Sequence, residues 1–348
     1  MKANDVASAG ATENPMVTNP GKIIVEKLVS IDSSEDFISF KVQRHAMITA
    51  RKFMVYCIHM GDCKDEFPKF VIPLIPLAFE GLKVTLADDN GEVDPSDRML
   101  EAEVVKGFRY QLAEVSNCCQ LTYGSEVDIS RVIDVIDAVS NSDMWQVRQA
   151  AANVIRCFQG GHRYLFSEAQ SKGTMKIVTR LLGDERREVS AAAMAALTGI
   201  LASMPLNSVA SLVTKQIRFA NKSIMKKKRK KAPTEAPKGT EQKTEEKSAG
   251  EKENNRARRQ QTSVNFLSAS ILARPYDTPP YVPEALAAIS RHSFDRTAPL
   301  TVRDTVKMCC AEFKKTHMSD NWVEHKKQFT QEQLEALDDV VSTPHYYA

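Results

Sequence analysis

From residue 40 onward the apolar positions of this chain recur every three or four residues. Val42, Ala46, Ile48, Ala50, Phe53, Met54, Cys57 and Ile58 lie at roughly helical spacing between Phe40 and Met60. A turn at Gly61-Asp62 separates them from a second apolar helix through Leu74, Leu77, Ala78 and Leu82. Asp88-Asp89-Asn90-Gly91 is a loop, and Asp94-Pro95-Ser96 opens a long helix towards Leu121. Helices are then predicted over 127–140, 143–158, 162–170, 173–182, 185–203 and 207–222, with Gly160-Gly161 as a break. Later helices are predicted over Val264–Ala273, Val282–Ser290, Leu300–Thr316 and Thr330–Val341, with Arg274–Pro280 as a stiff connector. In the last helix Thr330 caps the start, Gln333 completes a capping box, and Leu334, Leu337 and Val341 form the buried stripe. No strand alternation interrupts the series, and only 14 glycines serve the whole chain, too few for many hairpin turns. The fold class is all-α.

One sub-pattern repeats. Asp143 leads into Val147-Arg148 and Ala150-Ala151; Asp184 leads into Val189 and Ala191-Ala192-Ala193. The two valines are 42 residues apart, within the roughly 40–47-residue period of two-helix HEAT units. Val302-Arg303-Asp304-Thr305-Val306 is a third echo. An acid suits the positive end of a helix, the alanines allow a close neighbour, and each valine is expected as a core knob. The pattern predicts a HEAT-like α-solenoid of stacked helical hairpins, an architecture that makes curved interaction surfaces more readily than active sites.

Composition divides the chain. Residues 1–36 are polar and irregular, and 37–225 are expected as HEAT-like repeats. Residues 226–262 are rich in Lys, Glu, Thr and Pro and are expected as a disordered loop. Residues 263–343 resume helical structure, and 344–348 form a C-terminal tail. The loop opens with Lys226-Lys227-Lys228-Arg229-Lys230-Lys231, which reads equally as a nuclear import signal or as a solvated charge run. No aromatic residues interleave with these charges, so no direct nucleic-acid partner is expected. The net charge is only +3, so charge placement matters more than its sum. Seven cysteines, an odd number without C-x-x-C spacing, read as reduced thiols of the cytosol or nucleus. The N-terminus lacks the apolar core of a signal peptide, and Pro73 and Pro76 break the apolar run from Phe70 to Phe79, so no membrane association is expected.

Enzymatic chemistry finds no support in the residues. The histidines show no H-E-x-x-H or Cys/His metal spacing, and His317 and His325, eight residues apart, need not share a face. Cys118-Cys119 and Cys309-Cys310 read as small core residues. Gly160-Gly161 lacks the Lys-Ser/Thr of a P-loop. No Ser, His and Asp constellation stands out; the chain is expected to be non-catalytic, without cofactor or metal.

The end of the chain carries the informative motifs. Pro344 terminates the last helix, and two tyrosines and a small residue follow it. Tyr276-Asp277-x-Pro279, then Lys314-Lys315-Thr316-His317, then Asp320-Asn321-Trp322-x-Glu324-His325-Lys326-x-Gln328-Phe329-Thr330, and the closing Tyr346-Tyr347-Ala348 together resemble the C-terminus of the proteasome activator complex subunit 4 family. That family comprises very large HEAT-repeat activators that cap the 20S proteasome without ATP. The resemblance covers roughly 140–348 and implies that this chain corresponds to a C-terminal part. It implies that Tyr346, Tyr347 and Ala348 are a hydrophobic–tyrosine–any tail that docks in an α-ring pocket of the 20S particle and promotes gate opening. It implies residence in nucleus and cytoplasm. It further implies a bromodomain-like region near 140–225 that reads acetylated histones, with Tyr164 at an aromatic position; the family's acetyl-lysine asparagine falls on Met204, with Asn207 nearby, and methionine lacks the amide that an acetyl carbonyl needs. The alternative reading is a nuclear HEAT-repeat scaffold or acetylated-histone reader.

Overall fold

A computed structural model of the chain describes residues 75, 79, 126–162, 164–228 and 242–341. Ten helices are described: α1 (Glu126–Val139), α2 (Trp145–His162), α3 (Glu168–Leu181), α4 (Arg187–Ala202), α5 (Leu206–Lys228), α6 (Gln242–Leu272), α7 (Val282–Ser293), α8 (Leu300–Ser319), α9 (Trp322–Lys326) and α10 (Gln331–Val341). Among the described residues all regular structure is helical, and no helix is long and apolar enough to cross a membrane. The expected segment 1–36, the helices expected between Phe40 and Leu121, and the tail 344–348 lie outside the described residues, apart from Ile75 and Phe79, both buried.

The helices stack as antiparallel hairpins in two rows. In one row α2 packs on α4, α4 on α6 and α6 on α8; in the other α1 packs on α3, α5 on α7 and α7 on α10. Helices within a row run parallel. One edge of the array therefore carries the connectors 140–144, 182–186 and 294–299 together with the end of α10, and the opposite edge carries 163–167, 203–205, 273–281 and 320–330. Cross-links fix this register: Gln170 Nε2 donates to the Glu126 carbonyl (2.9 Å) near the starts of α3 and α1, and Arg180 pairs with Asp137 (2.6 Å) near their ends.

The repeat expected from Val147 and Val189 is present. Both valines are fully buried, with Ala150, Ala151 and Ala152 on α2 and Ala193 and Ala196 on α4. Small side chains let these two helices come close, and Ile155, Phe158, Leu197, Ile200 and Leu201 extend the buried faces further along. Val302 and Val306 of the third echo are buried as well.

Three sequence expectations are corrected. Residues 242–262, expected as disordered loop, form the first two-thirds of α6. That stretch lacks an apolar stripe, but Gln, Lys, Glu, Ala and Arg favour helix intrinsically, and from Gln260 onward polar side chains reach the core. Gln260 is buried with its amide nitrogen 2.8 Å from His292 Nδ1, Gln261 donates to the Asp184 carbonyl (2.8 Å), and the buried Asn265 donates to the Leu182 carbonyl (2.8 Å). Second, of the separate helices expected over 162–170 and 173–182, His162 belongs to α2, 164–167 are connector, and the rest forms one helix, α3. Ser167 and Gln170 form its capping box, and Gly173 stays helical; a Cβ there would sit 3.8 Å from Ile133 Cγ2, so it faces α1 closely. Third, Gly160-Gly161 does not break α2, which continues to His162.

Candidate functional site

The last four helices and the connector before them form one locked unit. α8 buries Val302, Val306, Cys309, Cys310, Phe313 and His317 along one face. Phe313 is its centre: His317 stacks on it at 3.9 Å between ring centroids, Trp322 meets it edge-on at 6.5 Å, and Phe329 lies tilted at 6.0 Å. His317 Nδ1 is 2.9 Å from the Phe313 carbonyl oxygen and Nε2 is 3.1 Å from that of Asp277. A neutral imidazole carries one N–H and donates to one of these carbonyls; the imidazolium donates to both. Either way the ring ties α8 to the 273–281 connector.

α9 continues the lock. A turn at Asp320-Asn321 brings the His325 ring edge-on to His317 at 4.6 Å, although the two are eight residues apart. His325 Nδ1 lies 2.8 Å from Thr278 Oγ1, and its Nε2 lies 3.1 Å from Asp320 Oδ2. Lys326 Nζ sits 5.6 Å from the centroid of Trp322. The expectation that His317 and His325 need not share a face held for one continuous helix; the turn before α9 overrides it. At the base of α10 both halves of the expected capping box are formed, with Gln333 N–H donating to Thr330 Oγ1 (3.3 Å) and Thr330 N–H to Gln333 Oε1 (2.9 Å). Lys314 of α8 pairs with Asp338 of α10 at 2.8 Å, so α10 runs back along α8 and Val341 lies at the 294–299 edge.

A second, polar junction lies on that same edge. The Arg148 guanidinium grips Asp184 through two bonds, Nε–Oδ2 at 2.7 Å and Nη2–Oδ1 at 3.0 Å, and its Nη1 donates to the carbonyls of Ser142 (2.8 Å) and Asp143 (2.9 Å). Its pKa is raised above the ordinary value, chiefly by the Asp184 hydrogen bond. Asp184 also accepts from the Arg186 N–H (3.0 Å), which shapes the turn into α4. An open groove of about 590 Å³ runs beside the pair, lined also by Arg180, Glu185, Asn254 and Arg258. The Arg148–Asp184 pair at its wall joins the α1–α2 and α3–α4 connectors, which makes it a structural seam between hairpins.

A family model described as proteasome activator complex subunit 4-like, C-terminal, matches residues 257–348. Proteasome activator complex subunit 4B of Danio rerio is 32% identical over 222 residues, covering 63% of this chain and 11% of that protein. Proteasome activator complex subunit 4 of Homo sapiens is 30% identical over 233 residues (66% and 11%), and proteasome activator subunit 4 of Arabidopsis thaliana 28% over 225 residues (64% and 11%). This chain is related to the C-terminal part of the proteasome activator complex subunit 4 family. It spans only about a tenth of the length of these relatives, 11% in each case. A crystal structure of an engineered protein superposes on 84% of this chain and 97% of its own length with a TM-score of 0.34 at 15% identity, too loosely to carry an argument.

The proteasome activator complex subunit 4-like match begins within α6 and takes in the whole locked unit, including the Asn321-Trp322-Val323-Glu324-His325-Lys326 run that the sequence singles out. Tyr346, Tyr347 and Ala348 fall inside the match but outside the described residues; Arg229, Lys230 and Lys231 lie outside both. Lys226, Lys227 and Lys228 are the last turn of α5. Tyr164 and Asn207 stand on the edge opposite the end of α10, in the α2–α3 connector and at the start of α5 respectively, both exposed; Tyr164 is 83% accessible. Met204 packs partly against the core, and its carbonyl accepts a bond from Arg274 (3.1 Å). Sequence reasoning missed the Arg148–Asp184 seam, whose only sequence signal is the recurrence of Asp at each repeat start.

Proposed function

We propose that this chain serves as a proteasome-docking module of an ATP-independent 20S activator or regulatory cap. The observation that carries the reading is the family match running through Tyr346-Tyr347-Ala348, beyond a helix tied to α8 by the Lys314–Asp338 pair. The tail enters an α-ring pocket of the 20S particle, where the terminal carboxylate makes a charge-assisted contact that is stronger in a partly desolvated pocket than at a surface. Tyr346 and Tyr347 supply contact area at low rotamer cost. Docking shifts the gate and admits peptides and unfolded chains for ubiquitin-independent degradation. The role of the chain is non-catalytic.

Hydrolysis of a short fluorogenic peptide by purified 20S particles tests this. The chain is expected to stimulate hydrolysis, whereas the chain lacking Tyr347-Ala348, or bearing one residue appended after Ala348, is not. Binding without stimulation, seen by co-sedimentation, reduces the proposal to docking alone, and absence of binding overturns it. We further propose that Lys226–Lys231 act as a nuclear import signal alongside cytoplasmic residence; an unchanged distribution of a fluorescent fusion after their replacement by alanine refutes it.

A further inference from the structure

The α5–α6 hairpin differs from its neighbours in length and charge. α5 has 23 residues and α6 has 31, against 14 in α3 and 12 in α7. No acidic residue occurs in α5, nor in Asn254–Leu272 of α6, yet these stretches carry Lys215, Arg218, Lys222, Lys226, Lys227, Lys228, Arg256, Arg258 and Arg259. α5 buries Val209, Val213, Ile217 and Ala220 on one side. Its other side presents Lys215, Arg218 and Lys222, all exposed and none held in an ion pair by another described residue. Their steps of three and four residues place them in one row along about 10 Å of helix. Phe219 stands within that row and is 47% exposed, so part of its ring faces the same solvent as the cations.

From this row we infer that the outer face of α5 binds single-stranded nucleic acid without sequence preference. Lys and Arg at regular helical steps meet successive backbone phosphates, and binding releases the condensed counterions. An exposed aromatic ring among cations is a platform on which an unpaired base stacks, and stacking is indifferent to base identity. The lysine run that begins in the last turn of α5 lacks aromatic residues, and the expectation of no nucleic-acid partner rested on that; the helix carries an exposed aromatic residue, Phe219, about two turns upstream of it. An acidic protein is the rival occupant. Lysine is depleted at protein–protein interfaces, which favour mixed charge around an apolar centre, and α5 offers neither. The inference is independent of the proteasome reading, because the α5 row lies outside the tail and outside residues 257–348.

Fluorescence anisotropy of the full chain with labelled oligothymidylate of about 30 nucleotides tests it across a salt series. Lys215→Glu/Arg218→Glu/Lys222→Glu is expected to weaken binding more than about tenfold and to flatten the log–log salt slope by about 2. Phe219→Ala is expected to weaken binding about tenfold with the salt slope unchanged, and Phe219→Tyr to restore it. The Phe219 effect is expected to persist after Lys226–Lys231 are replaced by alanine, and circular dichroism reports whether each variant keeps its helices. No binding at low salt, or poly-glutamate binding as tightly with no effect of Phe219→Ala, overturns the inference. The second result assigns the face to an acidic protein.

Discussion

The seam between α2 and α4 and the lock around Phe313 solve the same problem with opposite materials. Both fasten one hairpin to the next. At the first, the buried faces open with valine and alanine, which allow a close approach, before Ile155, Phe158, Leu197, Ile200 and Leu201. Register there is set by Arg148 and Asp184, whose directional bonds reach two carbonyls and one carboxylate. At the second, Phe313, His317, Trp322 and Phe329 fill volume, and their shapes alone permit few arrangements. A repeat that must stack on similar neighbours is served by a small polar clasp; an end unit that must aim one helix is served by bulky rings.

The comparison breaks most severely at the rings. Phe313→Ala empties the centre of the lock and is expected to cost about 4 kcal/mol in urea unfolding. A cost below about 1 kcal/mol would mean that the cluster is not a fastener. Arg148→Ala is expected next, at about 3 kcal/mol, because it strands the Asp184 carboxylate, which is 8% accessible. Replacing both, as Arg148→Met with Asp184→Leu, is expected to cost less than either single change, and a strictly additive result would contradict the pairing.

Gly183→Ala probes the same seam from the backbone. A Cβ there would collide with Thr262 Oγ1 and fall 3.0 Å from Arg258 Cγ and 3.3 Å from the Arg258 carbonyl oxygen, so a loss of about 2 kcal/mol is expected. Thr262→Ala in the same chain should recover most of it, since the nearest obstacle is that hydroxyl. Thr330→Ala removes the cap of α10 and is expected to cost about 1 kcal/mol, visible as a shift in the urea midpoint.

The smallest effect at neutral pH belongs to the thiols of α8. Burial pushes Cys310 up to about 12 and raises Cys309 well above its ordinary range. Below about pH 9 both folded and unfolded chains keep these protons and the thiols add no pH dependence. Above it the unfolded chain releases protons that the folded chain retains, so stability declines as pH rises from about 9 towards 12. Cys310→Ala should flatten that decline in denaturant titrations at graded pH, and an unchanged slope would rule the thiol out as its source.

How much of this was legible beforehand depends on where the information sits. The capping box of α10 is written within four consecutive residues, and the structure forms both its bonds. The Val147 and Val189 knobs follow from local periodicity and are buried as read. The end of α6 was legible as the helix expected over Val264–Ala273, but its extension back to Gln242 was not, because residues 242–262 have no apolar stripe, and the bonds of Gln260 and Gln261 run to distant partners, His292 and Asp184. The candidate docking residues Tyr346, Tyr347 and Ala348 were legible only through resemblance, since a short motif carries chemistry but no period.

By itself the sequence determined the helical class, the hairpin period and the identity of the C-terminal motifs, because each is carried by short local patterns, read singly or as they recur along the chain. The tertiary structure decided what lies between hairpins. It joined Arg148 to Asp184 across 36 residues, turned His325 onto His317, and set Phe219 within the basic row on the outer face of α5. Those outcomes depend on which surfaces meet when rows of helices stack, and a linear pattern of apolar and polar positions specifies only that a face is buried, not what it is buried against.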